Sequence, residues 1–358
     1  MMCLAHSKVV DEFADKTELP TFAAGLVDTI NKASTAMALS IGHRLGLFDA
    51  MRSGDARSPY GWANALNLQE RYVAEWLGAV TTAGITRVDD AGRYSLPADH
   101  ALFLGADAPA GSMTSMMQWV GVLAPVETDI VRCFEKGGGV PYSAYPRFHE
   151  VMEEEGTLTF DADATLGLVP GLVERLEQGI DVLDVGCGRG RALRIFAERF
   201  PNSRFVGYDL SCDAIATGRE KAADLPNLRF EVLDCMKMRD ERAFDLVFTF
   251  DAIHDQPHPE TLLKNIRRAV RDDAIYIGQD IWAHTDVAAN RDHPMAPFIY
   301  TISLMHCMTV SLAQGGVGLG AAWGEEQAFE LLAKAGFGDV AMHRLEHDIQ
   351  NAYYVCRV

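Results

Sequence analysis

Between Thr29 and Met51 the apolar positions Ile30, Ala33, Met37, Ile41, Leu45 and Phe48 recur at helical spacing. Ser58-Pro59 opens a second helix, since proline is tolerated in a first turn. Asn67-Leu-Gln-Glu70 has the form of a capping box and predicts a third helix carrying Val73, Trp76, Leu77 and Val80, stopped at Gly84. Two short extended pieces follow, Ile85–Val88 and Arg93–Leu96, around a turn at Asp89-Asp-Ala-Gly92. Helices followed by a β-wing predict a winged-helix unit over residues 1–105. Residues 106–170 read as a helical connector. Its apolar group Met113, Met116, Met117 and Trp119 suits a core or dimer helix, or else the wall of a substrate pocket. Gly137-Gly-Gly139 leads to Tyr142, Tyr145, Arg147 and Phe148, either a lid over a site or a plain linker.

Beyond residue 170 the pattern changes to short apolar runs alternating with helical ones. The runs are Asp181–Val185, Arg204–Tyr208, Leu228–Val232, Ala243–Phe250 and Ala274–Gly278. Between and after them lie Arg191–Phe200, Pro259–Val270 (Leu262, Leu263, Ile266 and Val270 on one face) and Glu325–Ala335, closed by Gly336. Two last strands, Asp339–Leu345 and Ala352–Val358, are joined by a short turn. Such alternation predicts an α/β fold over 171–358: a Rossmann-like, mostly parallel seven-stranded sheet with helices on both faces and an antiparallel end strand.

The most informative residues are Asp181-Val-Leu-Asp-Val-Gly-Cys-Gly-Arg-Gly190, a strand running into a glycine turn and then a helix. Glycines let backbone pass close to a ligand, and the helix start offers unpaired N–H groups. The spacing is G-x-G-x-G, with Arg191 where a dinucleotide fingerprint has its third glycine. Asp209 ends the next strand 19 positions after Gly190 (209 − 190), where a carboxylate can take two ribose hydroxyls.

On these residues the chain resembles the class I S-adenosylmethionine-dependent methyltransferases, over about residues 170 to 358. The resemblance implies that Gly186, Cys187, Gly188 and Gly190 line the methionine half of S-adenosylmethionine, with Asp184 near its amino group. It implies that Asp209 and Leu210 meet the ribose. Asp234 and Cys235 fall in the adenine-contacting turn, although Asp234 also reads as a turn residue. Phe250 and Asp251 follow strand four, where Asp251 either orders the cofactor's methionine end or caps a turn. Winged helix plus this core resembles the small-molecule O-methyltransferases of plants and bacterial natural-product pathways, including the actinobacterial winged-helix type. That implies a homodimer built through the N-terminal domain. It also makes His254, in Phe250-Asp-Ala-Ile-His254-Asp255, the general base for a hydroxyl acceptor. Gln256 and Pro257 stand where the family has Trp, so local packing differs. Glu325 and Glu326 are the nearest guesses for carboxylate partners of the base.

Met295–Gly320 is an insertion of the sort that covers an acceptor. With Tyr142, Tyr145 and Trp282, its residues Tyr300, Met305 and His306 suggest a small aromatic or apolar acceptor. His306 is a rival base, and His258, flanked by prolines, is a helix-start residue. His254, His258, His284, His293 and His306 show no metalloenzyme spacing, so no metal is expected. Gly315–Gly320 lacks the Lys-Ser/Thr of a phosphate loop and reads as a hinge or close packing.

A net charge of −18 argues against a nucleic-acid partner. The predicted third helix has Arg71 against Glu70 and Glu75, and the wing carries Asp89 and Asp90. Seven cysteines, Cys3, Cys133, Cys187, Cys212, Cys235, Cys307 and Cys356, form no C-x-x-C pair and read as reduced thiols, Cys187 as a space filler. His6, Lys8, Asp11 and Glu12 interrupt any leader-like core, and no apolar run is read as long enough to span a membrane. The expectation is a cytoplasmic methyltransferase. Its rivals are a regulator that senses the cofactor or a metabolite, and an enzyme of another reaction class on this fold.

Overall fold

The computed structural model describes residues 21–358. The expectations placed on Cys3 and on residues 6 to 12 lie outside them. The chain divides into two compact units, Met1–Gly121 and Val122–Val358, so the connector read from the sequence is shared between them.

In the first unit, α1 (Thr21–Arg44), α2 (Leu47–Met51), α3 (Pro59–Ala65) and α4 (Glu70–Thr82) precede a two-stranded antiparallel wing, β1 (Arg87–Val88) and β2 (Tyr94–Ser95). The predicted helix over 29–51 is two helices. Gly46 takes a left-handed conformation (φ 66°) that turns the chain so that Leu47, Phe48 and Met51 enter the core with Trp62, Trp76 and Leu77. Ser58 caps α3 by accepting from Gly61 N at 3.1 Å. The capping box does not form. Asn67 has φ 53°, and Gln69, whose side chain makes no capping bond, stands at the cap of α4.

The second unit contributes α5 (Glu127–Lys136), α6 (Phe148–Thr159), α7 (Ala162–Gly167) and α8 (Leu172–Gln178), and then the sheet. In chain order come β3 (Asp181–Val185), α9 (Arg191–Arg199), β4 (Arg204–Asp209), α10 (Cys212–Lys221), β5 (Leu228–Val232), β6 (Phe244–Phe250), α11 (Pro259–Ala269) and β7 (Val270–Ile281). After them lie α12 (Ala296–Ile302), α13 (Met308–Ala313), α14 (Glu325–Ala335), β8 (Asp339–His343) and β9 (Asn351–Arg357). The seven strands are ordered β5-β4-β3-β6-β7-β9-β8, with β9 antiparallel to both its neighbours. Val182, Leu183, Val185, Leu246, Val247 and Phe248 are buried on the central strands, as runs covered on both faces require.

The chain leaves β3 for β4 on one side and returns through β6 on the other, so the strand order reverses between β3 and β6. Ligands of open α/β sheets bind outside the carboxyl ends at such a point. Asp184, Asp209, Phe250 and Asp280 all lie at that edge.

One expectation about membranes is corrected. The continuous helical stretch Ala296–Ala313 is 18 residues with mean hydropathy 1.4, long and apolar enough by composition to cross a membrane. Its residues Ile299, Ile302, His306, Cys307, Thr309, Val310 and Ser311 are buried inside the unit, the pattern of a core helix.

Candidate functional site

The glycine turn is folded over the end of β4. Gly186 N and Cys187 N both donate to Tyr208 O, at 2.8 and 3.0 Å. Gly188 N donates to Asp209 Oδ2 at 2.8 Å, while Asp209 Oδ1 accepts from Ser211 N at 2.8 Å. One carboxylate thus joins the turn to the start of α10, where Ser211 caps Ala214 N. All three glycines have positive φ, but their surroundings differ. A Cβ on Gly190 would meet the Phe230 ring at 2.2 Å and one on Gly186 would meet Ala252 at 2.7 Å, whereas one on Gly188 would meet nothing within 4 Å. The first two glycines are required by packing and conformation together; the third borders open space. Cys187 lies under the turn, its Sγ 2.6 Å from where a Cβ on Gly207 would stand, which is the space-filling role read from the sequence.

Two carboxylates beside this turn each leave a buried oxygen unsatisfied. Asp184 is 2% exposed and its Oδ1 has no hydrogen-bond partner. Burial, and then the charge of Asp209, push its carboxyl well above the ordinary range. Asp251, at φ 49°, accepts from Gln279 Nε2 through Oδ2 at 3.0 Å but leaves Oδ1 unpartnered. Burial, and then Asp280, raise it in the same way. Unpartnered buried oxygens at a ligand-binding edge fit a cationic group such as the ammonium of a bound amino acid. Asp234 caps the turn Cys235–Lys237 by accepting from Met236 N at 3.0 Å, and pairs with Lys237 at 2.9 Å. The turn reading of this residue is therefore observed. Cys235 is buried, Leu210 is exposed, and Phe250 packs on Phe248 and Phe160.

The sequence reading missed Glu153 on α6. It accepts from Arg194 at 2.6 Å, Lys221 at 2.6 Å and Arg189, inside the glycine turn, at 3.3 Å. These cations outweigh burial and hold its carboxyl below the ordinary range. No local pattern marks it, because the three cations come from β3–α9, α9 and α10.

The second half of the site is assembled around His254, just beyond β6 and only 2% exposed. Its Nδ1 lies 2.6 Å from Asp280 Oδ1, at the end of β7, and its Nε2 lies 3.2 Å from Asp255 Oδ1. Asp280 Oδ1 is fixed in turn by Trp323 Nε1 at 3.0 Å and Ile281 N at 2.9 Å. Burial alone would lower the His254 pKa; Asp280 and then Asp255 outweigh it and hold it well above the ordinary value. The carboxylate partners of His254 are therefore Asp255 and Asp280. This corrects Glu325 and Glu326, which sit by His284 Nδ1 at 3.6 and 3.0 Å. Asp280 carries no local signal as a partner of the base, and only the parallel pairing of β6 with β7 brings it to His254.

The acceptor candidates separate into two sets. Tyr142 donates to Asp255 Oδ2 at 2.9 Å, and Tyr145 donates to Met305 O at 2.5 Å. His306 stacks on Phe148 with centroids 4.1 Å apart and meets Tyr142 and Tyr145 edge-on. These residues converge on Asp255, 3.7 Å from His306 Nδ1. His306 and Cys307 stand on a π-helical turn, Ser303–Cys307, between α12 and α13, a feature frequent at functional sites. Burial lowers the His306 pKa to about 4, so the ring is neutral, and its Nε2 has no partner. Trp282 and Tyr300 make other bonds. Trp282 lies under Arg344, 3.5 Å from its ring centroid, and donates to Glu325 Oε2 at 3.3 Å. Tyr300 accepts from Asn290 Nδ2 at 2.9 Å.

Comparison with known proteins agrees with this geometry. Residues 176–310 match the family described as a methyltransferase domain, and residues 33–106 match the Rv2258c-like winged HTH domain. Among curated proteins, the malonyl-[acyl-carrier protein] O-methyltransferase 1 of Ilyobacter polytropus is 40% identical over 79 residues, covering 21% of this chain and 30% of that protein. The trans-aconitate 2-methyltransferase of Variovorax paradoxus is 32% identical over 126 residues, covering 35% and 45%. The chain thus matches less than half the length of these relatives. The human N-acetylserotonin methyltransferase, solved with SAM, shares the fold at TM-score 0.72 and 16% identity, over 96% of this chain and 99% of that one. The mitomycin 7-O-methyltransferase MmcR does so at TM-score 0.66 and 15% identity, over 94% and 98%. At such identities the likeness is one of fold.

Proposed function

We propose that this chain, a class I methyltransferase domain behind a winged helix-turn-helix domain, moves the methyl group of S-adenosylmethionine to a hydroxyl of a small aromatic or apolar acceptor. The observation that carries the reading is a buried His254–Asp280 pair at the same sheet edge as the glycine turn and two unpartnered carboxylate oxygens.

S-adenosylmethionine supplies a methyl group already activated on a sulfonium. The residues that would hold it are Gly186, Cys187, Gly188 and Gly190 along the methionine half, Asp184 and Asp251 toward its ammonium with Phe250 beside them, Asp209 and Leu210 at the ribose, and Asp234 and Cys235 at the adenine. What remains for the chain is to align the acceptor and remove its proton. In its unprotonated form, favoured as pH rises past its raised pKa, His254 takes that proton at Nε2. Asp280, bonded to Nδ1, fixes the tautomer and stabilises the protonated ring that results, as the buried carboxylate of a hydrolase triad does. An acceptor hydroxyl reaches Nε2 by displacing Asp255 Oδ1. That oxygen accepts no well-aligned hydrogen bond, and Tyr142 anchors the other oxygen of the same carboxylate. Tyr142, Tyr145, Met305 and His306 form the acceptor wall nearest the base, and Trp282 and Tyr300 stand farther from it.

Phe22, Leu26, Ile30, Met37 and Ile41 are exposed on α1, an apolar stripe that suits a homodimer through the first unit. DNA recognition by that unit is disfavoured, since Arg71 pairs with Glu75 and Arg93 with Asp89. Free thiols at all six described cysteines suit the cytoplasm.

Calorimetric titration with S-adenosylmethionine and S-adenosylhomocysteine, repeated on Asp209→Ala, tests the cofactor; phenol-dependent release of S-adenosylhomocysteine tests the reaction. Absence of binding in the wild type sinks the reading, and binding without any acceptor-dependent turnover leaves a sensor.

A further inference from the structure

Cys307 has no part in proton removal, yet it faces the base. Its Sγ, a ring nitrogen of His254 and a carboxylate oxygen of Asp255 lie within 4.8 Å of one another, and all three side chains are buried. We propose that His254, Asp255 and Cys307 form a binding site for one soft divalent cation of the zinc class, with Nε2, Oδ1 and Sγ as its ligands.

Four features of the geometry carry this. Thiolate, imidazole and carboxylate are each donors that zinc accepts, and three protein ligands leave a fourth position open. Nδ1 of His254 is bonded to Asp280, so Nε2 is the nitrogen aimed at the cluster; a carboxylate behind a ligating histidine is the usual outer partner of a zinc ligand. That carboxylate is itself held by Trp323 Nε1 and Ile281 N, so the ring direction is set before any ion arrives. Finally, Tyr142 holds Asp255 Oδ2, which leaves the buried Oδ1, 3.2 Å from His254 Nε2, turned to the cluster. The π-helical turn at Ser303–Cys307 carries Cys307 to this point.

The charges balance. On binding, Cys307 gives up its thiol proton and His254 its Nε2 proton to the solvent, and one divalent ion then faces one thiolate, one carboxylate and a neutral imidazole. The ion occupies Nε2, so in the proposed methyltransferase it withdraws the base and inhibits. This consequence rests on His254 being the base; the binding site does not.

The full-length protein, stripped with a chelator, is titrated with cobalt(II) chloride. The expected result is one ion per chain, with intense tetrahedral visible bands and a near-ultraviolet thiolate-to-cobalt band that zinc chloride bleaches. Cys307→Ser is expected to lose the near-ultraviolet band and to bind more than about tenfold more weakly. X-ray absorption on the zinc-loaded wild type guards against a variant that fails to fold. It is expected to show one sulfur at about 2.3 Å and light atoms at about 2.0–2.1 Å. No cobalt spectrum, a zinc shell without sulfur, or visible cobalt bands kept in Cys307→Ser but lost in Glu326→Gln overturns the proposal. That last outcome would place the ion at the exposed His284, Glu325 and Glu326 group. Because these readouts need no turnover, Asp209→Ala is expected to bind cobalt like the wild type even if methyl transfer itself is disproved.

Discussion

The two halves of the site are built in opposite ways. The glycine turn, Asp184 and Asp209 come from one β-turn-α-β stretch of fewer than 30 residues (209 − 184 = 25). Their bonds are mostly backbone ones, from Gly186 and Cys187 to Tyr208 O and from Gly188 to Asp209. The half around His254 draws on residues as far apart as Tyr142 and Trp323, and its bonds are between side chains. A ligand common to many proteins can be held by a local, backbone-made cradle. An acceptor particular to one enzyme needs side chains gathered from several elements, which vary without disturbing the cradle.

The sharpest way to break this division is to remove the base. His254→Ala is expected to lower kcat by about 10²–10⁴-fold, the range for general acid–base catalysis, with the affinity for S-adenosylmethionine unchanged. A normal kcat at saturating acceptor removes His254 from the chemistry. The converse change is Asp209→Ala, which takes the side-chain acceptor from Gly188 N and Ser211 N. Hydrogen bonds to charged groups contribute about 1.5–3 kcal/mol, so the cofactor Kd should rise by about ten- to a hundredfold while the bound enzyme keeps most of its kcat. Equal losses of kcat and affinity in both variants would mean that the halves are one coupled unit.

A smaller effect separates the two histidines. His306→Phe keeps the stacking surface against Phe148 and removes an unpartnered buried nitrogen. Leaving such a group unsatisfied costs about 1–3 kcal/mol, so the variant should be more stable, with Tm raised by about 2–4 °C per kcal/mol. Its kcat should change less than about tenfold, because Asp280 is bonded to His254 and not to His306. A fall as large as that of His254→Ala would make His306 the base.

The same contrast explains what the sequence disclosed. The strand runs of β3, β4, β6 and β9 and the turn between Gly186 and Gly190 are periodic or local signals, and the structure has them where the pattern placed them. Asn67 misled because a capping box is a preference of four residues in isolation; in the fold the left-handed Asn67 delays the helix to Glu70. Glu325 and Glu326 misled because nearness along the chain to a late helix says nothing about which carboxylate parallel strands deliver to His254. Glu153 and Cys307 carry no sequence signal of their own. Their meaning lies in partners 36 or more positions away in one case and 52 or more in the other (189 − 153 = 36; 307 − 255 = 52).

Asp184 gives the most delicate test, because it sits in the local half but is governed by burial. Its folded-state carboxyl is pushed above the ordinary value, so at pH values between the two the folded protein holds a proton that the unfolded chain has lost. Stability without ligand therefore falls as pH rises through that window, and below it the group contributes nothing to the slope. A cofactor ammonium beside Oδ1 reverses the balance by favouring the carboxylate, so binding should expel up to one proton. Calorimetry in buffers of different ionisation heat should show that release in the wild type, less of it in Asp184→Asn, and weaker cofactor binding in the variant. The variant should also lose part of the pH slope of its ligand-free Tm. If proton release is the same in both proteins, the unpartnered oxygen of Asp184 does not meet the cation, and Asp251, raised by the same burial, becomes the carboxylate that does.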